Sequence, residues 1–486
     1  MAHPMHPATI NLSNAMSWRR RAFLLVCVLA LSFSVRGLTA EFMRTHLTDA
    51  GWFQLGTYAI FDKQAQGILD GRASAFWIDD PKLTQAAVYP PGYPLWLALV
   101  YSVSRERSAY SVQNVQWVLD AISVLLVVGI GVTAYGWRVG LIAGSLCALS
   151  PLLALYGATP LADAPASWTV LGGVWMLLLA ARKSSWKWAL LAGLMIGLSC
   201  WLRANALLLA IVWAVALLLV LRTAWRERFL LAGAVTLGTL LLVAPVMVRN
   251  AMAFHAFLPT GLGVGTNLWE GIGETERAAE FGAVYSDEKL IEQERAMMGL
   301  AADVPLGLYW PNGVERDRAR TRRALSVISQ HPFWYARVML RRMWGSLNYA
   351  GEPSTFYGFA GINVTSRKCL PQEMQGGVLA FFVNILGMIQ SVWRHVALLL
   401  IVCGVFVALR TDWRTSTLLL TTALYYLVVG SFMHMEIRYG LPMQAVLIVF
   451  AALFVSRLFE LIRDRRRRKH TGERTGKLRE AVEHQT

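Results

Sequence analysis

Asp49 and Asp62 are the carboxylates best placed for chemistry. Each is set among aromatic or apolar neighbours, in Asp49-Ala50-Gly51-Trp52-Phe53 and Ile60-Phe61-Asp62-Lys63-Gln64-Ala65. On the wet edge of an amphipathic helix a carboxylate is partly desolvated, which suits it to accept a proton or help hold a cation. Asp163 lies in the turn Thr159-Pro160-Leu161-Ala162-Asp163-Ala164-Pro165, directly before an apolar run. It reads either as an N-cap, with Pro165 early in the helix, or as a second acid facing the same site. Asp120, inside an apolar run, must pair or face a cavity. Asp70, Asp79 and Asp80 read as loop or cap residues.

Arginines form the second group. Arg203-Ala204-Asn205, Arg249-Asn250 and Arg438-Tyr439 all stand at the ends of apolar runs, the last after His434 and Glu436. A guanidinium presents a planar fork of donors that suits phosphate; the plainer reading is a snorkelling membrane anchor. Tyr89-Pro90-Pro91-Gly92-Tyr93-Pro94 forces an extended, turning backbone and feeds the apolar segment Leu95–Leu99, which fits a helix lying in the membrane interface. The stretch Pro259–Gly271, with Asn267, is rich in glycine but lacks the Lys-Ser/Thr of a nucleotide loop. It suits close packing of backbone against a ligand or a membrane edge. His331–Trp344 reads as a basic, aromatic, amphipathic interfacial helix.

The elements that must hold these groups are membrane helices. Of 486 residues 56% are hydrophobic and 16% charged, with a mean hydropathy of +0.44. About ten spans are expected, near 22–39, 113–134, 139–157, 165–181, 187–202, 204–221, 228–248, 395–410, 415–433 and 440–460. The net charge of +16 sits in short clusters between apolar runs and in the tail from Arg463 to Lys469. Such clusters report orientation, and nucleic acid is not an expected partner. Placing Arg19–Arg21, Arg138, Arg182/Lys183/Lys187, Arg222/Arg226/Arg228, Arg410/Arg414 and the tail in the cytoplasm satisfies every cluster with ten spans. That parity makes the apolar segment 377–393 interfacial. The expected organisation is a cytoplasmic N-terminus (1–21), spans one to seven (22–248) with a large first outer loop (40–112), a long outer segment (249–394) with interfacial helices, spans eight to ten (395–460), and a basic, disordered cytoplasmic tail (461–486). Arg203, Arg249 and Arg438 then oppose the charge rule, and every candidate residue faces the non-cytoplasmic side. Cys27, Cys147, Cys200 and Cys403 lie in apolar runs and Cys369 is alone, so neither a zinc site nor a disulfide framework is expected.

In the order of its parts the chain resembles the membrane glycosyltransferases of the GT-C superfamily, above all the dolichyl-phosphate-mannose–protein mannosyltransferase-like group, glycosyltransferase family 39, with its aminoarabinose transferases. Ala65-Gln66-Gly67-Ile68-Leu69-Asp70-Gly71 resembles that family's A-x-x-L-x-x-G, and Tyr89–Leu95 its Pro-Pro element. Asp163 falls where the family carries an acid in its second outer loop. Arg249-Asn250 and the following Gly/Asn stretch resemble R-N…G-x-N, and Arg438-Tyr439-Gly440-Leu441-Pro442 resembles R-Y-x-x-P. The family's first loop carries an acid, a Tyr four residues on and an Ala four after that. Counting back from Ala65 places Phe61 and Thr57 at those positions, so neither Asp49 nor Asp62 is in register.

The resemblance implies an all-α polytopic GT-C-like fold with interfacial helices in the first and fourth outer loops; the amino-acid usage reads as that of a bacterial inner-membrane protein. It implies transfer of a sugar, with inversion, from a polyprenyl-phosphate donor to a lipid, protein or glycan acceptor. Asp49 or Asp62 would take the acceptor proton or help hold a divalent cation, and Asp163 would support it. Tyr89, Arg203, Asn205, Arg249, Asn250, Asn267, Arg438 and Tyr439 would bind substrate. A transporter or flippase, which would place its site near the bilayer midplane in two repeated halves, and an oligosaccharide ligase or polymerase are the rival readings.

Overall fold

The computed structural model describes residues 17–72, 89–347, 365–434 and 436–483. Asp79, Asp80 and most of the sequon-like Asn363-Val364-Thr365 lie outside these. Among the described residues the regular elements are all helices. Six are long and apolar enough to cross a membrane: α1 (Trp18–His46), α5 (Ala109–Tyr135), α8 (Asp163–Lys183), α11 (Trp225–Phe254), α17 (Val378–Phe432) and α18 (Leu441–Glu483, whose apolar part ends by Arg466). A seventh is the pair α6 (Trp137–Leu149) and α7 (Pro151–Ala158), bent by 62° at Ser150-Pro151. The expected span 139–157 is therefore broken, because Pro151 removes a donor and sterically excludes Ser150 from the helix. The expected spans at 187–202 and 204–221 are the shorter apolar helices α9 (Trp186–Leu202) and α10 (Leu209–Val220).

α17 corrects the sequence reading. The segment 377–393 is not a helix of its own: one helix runs from Val378 to a kink at Asp412 (φ −151°, ψ 84°) and resumes to Phe432. Arg394 and His395 interrupt hydrophobicity, yet neither is a Gly or Pro that would stop a helix. The first arm is about 50 Å long, against a hydrocarbon core of about 30 Å, so it is long enough for a crossing. The basic tail, expected to be disordered, continues α18 as helix to Glu483.

Small residues and one buried ion pair knit the bundle. Gly193 and Gly238 let α9 and α11 touch backbone to backbone; a Cβ on Gly193 would sit 2.0 Å from Val235 O, and one on Gly238 2.3 Å from Leu190 O. Asp120 is paired, as its depth requires: Arg36 Nε and Trp168 Nε1 each donate to it at 2.6 Å. That joins α1, α5 and α8, and removing either ion would cost about 3–5 kcal/mol.

Two small helical layers cap one end of the bundle. The first is α2 (Asp49–Trp52), α3 (Gly56–Leu69) and α4 (Gly92–Ser104), with a core of Trp52, Tyr58, Phe61, Tyr93, Leu97 and Tyr101. The second is α12 (Val264–Gly273), α13 (Ala278–Phe281), α14 (Asp287–Met297), α15 (Gly313–Gln330) and α16 (Pro332–Leu347), packed around Leu268, Trp269, Ile272, Leu290 and Tyr335. α16 is amphipathic as expected: Tyr335, Val338 and Arg342 are buried, whereas Phe333, Leu340 and Trp344 are 91%, 66% and 63% exposed.

Candidate active site

The site lies where these caps meet α8, α9 and the segment between α17 and α18. Asp163 opens α8 and is 5% exposed. Its carboxylate takes a 2.7 Å hydrogen bond from Arg203 Nη2, at the C-terminal end of α9. The Arg203 guanidinium lies 4.9 Å from the Tyr439 ring, and Arg438 approaches the same ring at 5.6 Å. Asn205 Nδ2 donates to Tyr439 O at 3.4 Å, while Asn205 O accepts from Tyr425 at 2.7 Å. A small cleft opens here, walled by Asp163, Ser167, Arg203, Asn205, Arg438 and Tyr439. Arg203 Nε is buried and meets no acceptor among the described residues. A buried donor left open is costly, so a ligand anion is its natural partner.

Tyr89 reaches this centre from the first cap. Arg203, Tyr439, Asp287 and Arg438 are near enough to act on its phenol, whose pKa burial raises. Its position follows from the proline run and from Gly92: a Cβ there would lie 2.5 Å from Trp201 O, so only glycine lets α4 seat against the end of α9. The Tyr89 ring also packs 4.8 Å from that of Phe61.

A chain of alternating charges continues outward. Glu436 accepts from Arg438 Nη2 at 3.0 Å and lies 3.5 Å from His434 Nε2; His434 Nδ1 pairs with Glu274. Burial alone would lower the imidazole pKa, but hydrogen bonds to Glu274 and Glu436 raise it to about 10. Burial alone would raise Glu436, but His434 and Arg438 draw it down to about 2. Both groups are therefore charged at neutral pH. The backbone beneath them is clamped: Arg342 donates to Ser431 O (3.2 Å), Met433 O (2.8 Å), Gly271 O and Glu274 (3.0 Å). His434 N donates to Asn267 O at 2.9 Å.

Of the sequence candidates, Asp163, Tyr89, Arg203, Asn205, Arg438 and Tyr439 are brought together. The others have local contacts. Asp49 accepts from Tyr110 N (2.7 Å) and Ser108 Oγ (3.1 Å), which makes it part of the α5 N-terminus. Asp62, 4% exposed, accepts from Arg107 Nε (3.0 Å), Arg107 Nη2 (2.6 Å) and Tyr101 (3.1 Å). Arg249 donates to Asn250 Oδ1, and Asn250 Nδ2 to Leu258 O and Thr260 O. The Asn267 side chain donates to Gly263 O at 2.7 Å. Sequence reasoning did not single out Glu270, Glu274 and Asp287. Glu270, in Trp269-Glu270-Gly271, carried the same signal as Asp49 and Asp62: an acid among apolar and small neighbours. Among the described residues no three or more His, Cys, Asp or Glu side chains gather as a metal-ligand set, and the aspartates proposed for a cation stand in separate contacts.

Residues 88–248 match the family model described as dolichyl-phosphate-mannose-protein mannosyltransferase. That stretch holds Tyr89, Asp163, Arg203 and Asn205. Among solved structures the chain is similar to the archaeal oligosaccharyltransferase AglB from Archaeoglobus fulgidus in complex with an inhibitory peptide and a dolichol-phosphate. The TM-score is 0.51 at 14% identity, covering 94% of this chain and 52% of that one. This chain has the GT-C fold. An Archaeoglobus fulgidus oligosaccharyltransferase tethered with an acceptor peptide matches with a TM-score of 0.50 at 14% identity, covering 91% of this chain and 50% of that one. ArnT from Cupriavidus metallidurans bound to undecaprenyl phosphate matches at a TM-score of only 0.45 and 13% identity, covering 91% of this chain and 61% of that one. The chain thus spans about half the length of the oligosaccharyltransferase structures. No curated protein matches it by sequence. The protein is a multi-pass helical membrane protein of glycosyltransferase-like fold.

Proposed function

We propose that this protein is an integral-membrane glycosyltransferase that moves a sugar, with inversion, from a polyprenyl-phosphate donor to an acceptor at the non-cytoplasmic face. The observation that carries this reading is the buried Arg203, with an open Nε beside Arg438, Tyr439 and Tyr89 at one end of the helical bundle. The family match over the stretch holding two of those groups, Tyr89 and Arg203, supports it, as does the dolichol-phosphate bound in AglB.

In this reading the donor phosphate lies against Arg203 and Arg438. As the bond from sugar to phosphate oxygen breaks, negative charge grows on the phosphate. Fixed guanidiniums already aimed there stabilise that charge more than the ground state, which lowers the barrier. Asp163 holds Arg203 in place, and Glu436 holds Arg438. Tyr89 and Tyr439 line the path as hydrogen-bonding and stacking groups. Ionisable groups concentrated at one end, with Asp120 already paired at depth, favour transfer over transport.

The test is a lipid analysis of cells with and without the protein, following polyprenyl-phosphate-linked sugars. Loss of the protein should make one such species accumulate; wild type should reverse this and Arg203→Gln should not. No change in any lipid-linked sugar would refute the reading.

A further inference from the structure

We propose that Glu270 is the proton acceptor of the transfer. Its carboxylate takes the proton from the acceptor hydroxyl as that oxygen bonds to the anomeric carbon. The bond from that carbon to the phosphate oxygen breaks with its electron pair, and polyprenyl phosphate leaves. This rests on the transferase reading above.

A base needs an oxygen free to accept a proton, and the carboxylates picked from the sequence already serve as acceptors for fixed donors. Asp49 receives two donors at the start of α5, Asp62 three from Arg107 and Tyr101, and Asp163 is paired with Arg203. Glu274 and Glu436 are in ion pairs with Arg342, His434 and Arg438. Glu270 differs: it is 8% exposed, its side chain hydrogen-bonds to another acid, Asp287, and its Oε1 meets no donor among the described residues. It is on α12, one turn before the C-cap Glu274, and Asn267 and Gly271 of that helix meet the His434 backbone. Asp287 is close enough to act on both Glu270 and Tyr89, so Glu270 belongs to the outer rim of the same centre.

Its acidity fits the role. Burial and the neighbouring Asp287 raise its pKa to about 8, near the value at which a general base is both available and strong. The ionisable groups that act on it are Asp287 on α14, Tyr285 just ahead of that helix, Arg320 on α15 and His434 after α17. His434 is charged up to about 10 and Glu436 down to about 2, so neither titrates near neutrality. Glu270 is left to set the profile.

The test uses the full-length protein in lipid nanodiscs with a radiolabelled polyprenyl-phosphate hexose and a cell-envelope extract as acceptor. Wild type is compared with Glu270→Gln, Glu270→Asp and Asp49→Ala. Glu270→Gln should lower kcat about 10²- to 10⁴-fold with KM within about threefold, and Glu270→Asp should retain part of the rate. The wild-type kcat should rise with pH to a plateau above about 8, a limb absent from the residual rate of Glu270→Gln. Thermal unfolding reports folding independently of activity. Transfer by a folded Glu270→Gln at a near wild-type rate would overturn the assignment and leave the transferase reading standing. A misfolded Glu270→Gln would pass the decision to Glu270→Asp, whose unaltered pH limb would overturn it. Wild type inactive on every polyprenyl-phosphate sugar tried would overturn the reading itself and the base with it.

Discussion

At the residue scale, ionisation is governed by who the neighbours are. His434 lies between Glu274 and Glu436, and its folded pKa is about 10 against an ordinary 6.5. A raised pKa means the folded state binds the proton more tightly, so stability is fully present below about 6.5 and is lost as pH rises through about 10. Glu270, raised from 4.5 to about 8, acts in the same direction over a lower window. The melting temperature of wild type should therefore fall steadily from pH 5 to pH 10. His434→Gln should flatten the upper part of that slope, and Glu270→Gln the lower part. Parallel curves for all three proteins would show that neither proton is linked to folding. Arg203 and Arg438 broke the charge rule in the sequence, and each turns out to have a carboxylate partner, Asp163 and Glu436. Arg249 broke the rule too, but its contact is an amide, Asn250.

At the element scale, helix contacts place the site. α9 carries Arg203 at its end, and its height depends on how closely α9 packs on α11. Gly193 and Gly238 allow backbone contact there. Gly238→Leu would push a side chain into Leu190 O, and neither helix can yield without moving Arg203 away from Asp163. The expected outcome is a protein that still inserts but melts lower and transfers at a small fraction of the wild-type rate; Gly233→Leu, where no atom lies within 4 Å, should change neither. Equal behaviour of the two variants would mean that α9–α11 packing does not position the site. α16 works in a similar way from the other side, since its buried Arg342 holds the backbone of residues 431–433 while Phe333, Leu340 and Trp344 remain outside.

At the scale of the whole molecule, the charge clusters and the crossing number make one claim: both caps face away from the cytoplasm. Topology reporters fused after residues 105 and 300 should both read non-cytoplasmic. A cytoplasmic signal from either would invert the orientation, although the site's internal geometry would stand.

The sequence by itself determined the helical class, the approximate run of apolar segments, the charge-rule exceptions and the resemblance. These are properties of composition, period and local order, and they need no partner. Asp163, Arg203, Asn205, Arg438, Tyr439 and Tyr89 were legible for this reason: each sits at the edge of an apolar run in a recognisable element. Which carboxylate remains open was decided only by the tertiary structure. Asp49, Asp62 and Glu270 look alike along the chain, each an acid beside aromatic or small residues. Donors from Ser108, Tyr110, Arg107 and Tyr101, distant in sequence, meet the first two, whereas Glu270 has another acid, Asp287, beside it and an Oε1 that meets no donor among the described residues. A carboxylate's reactivity depends on the hydrogen bonds and charges within a few ångströms of it, and residues far apart in the chain supply those.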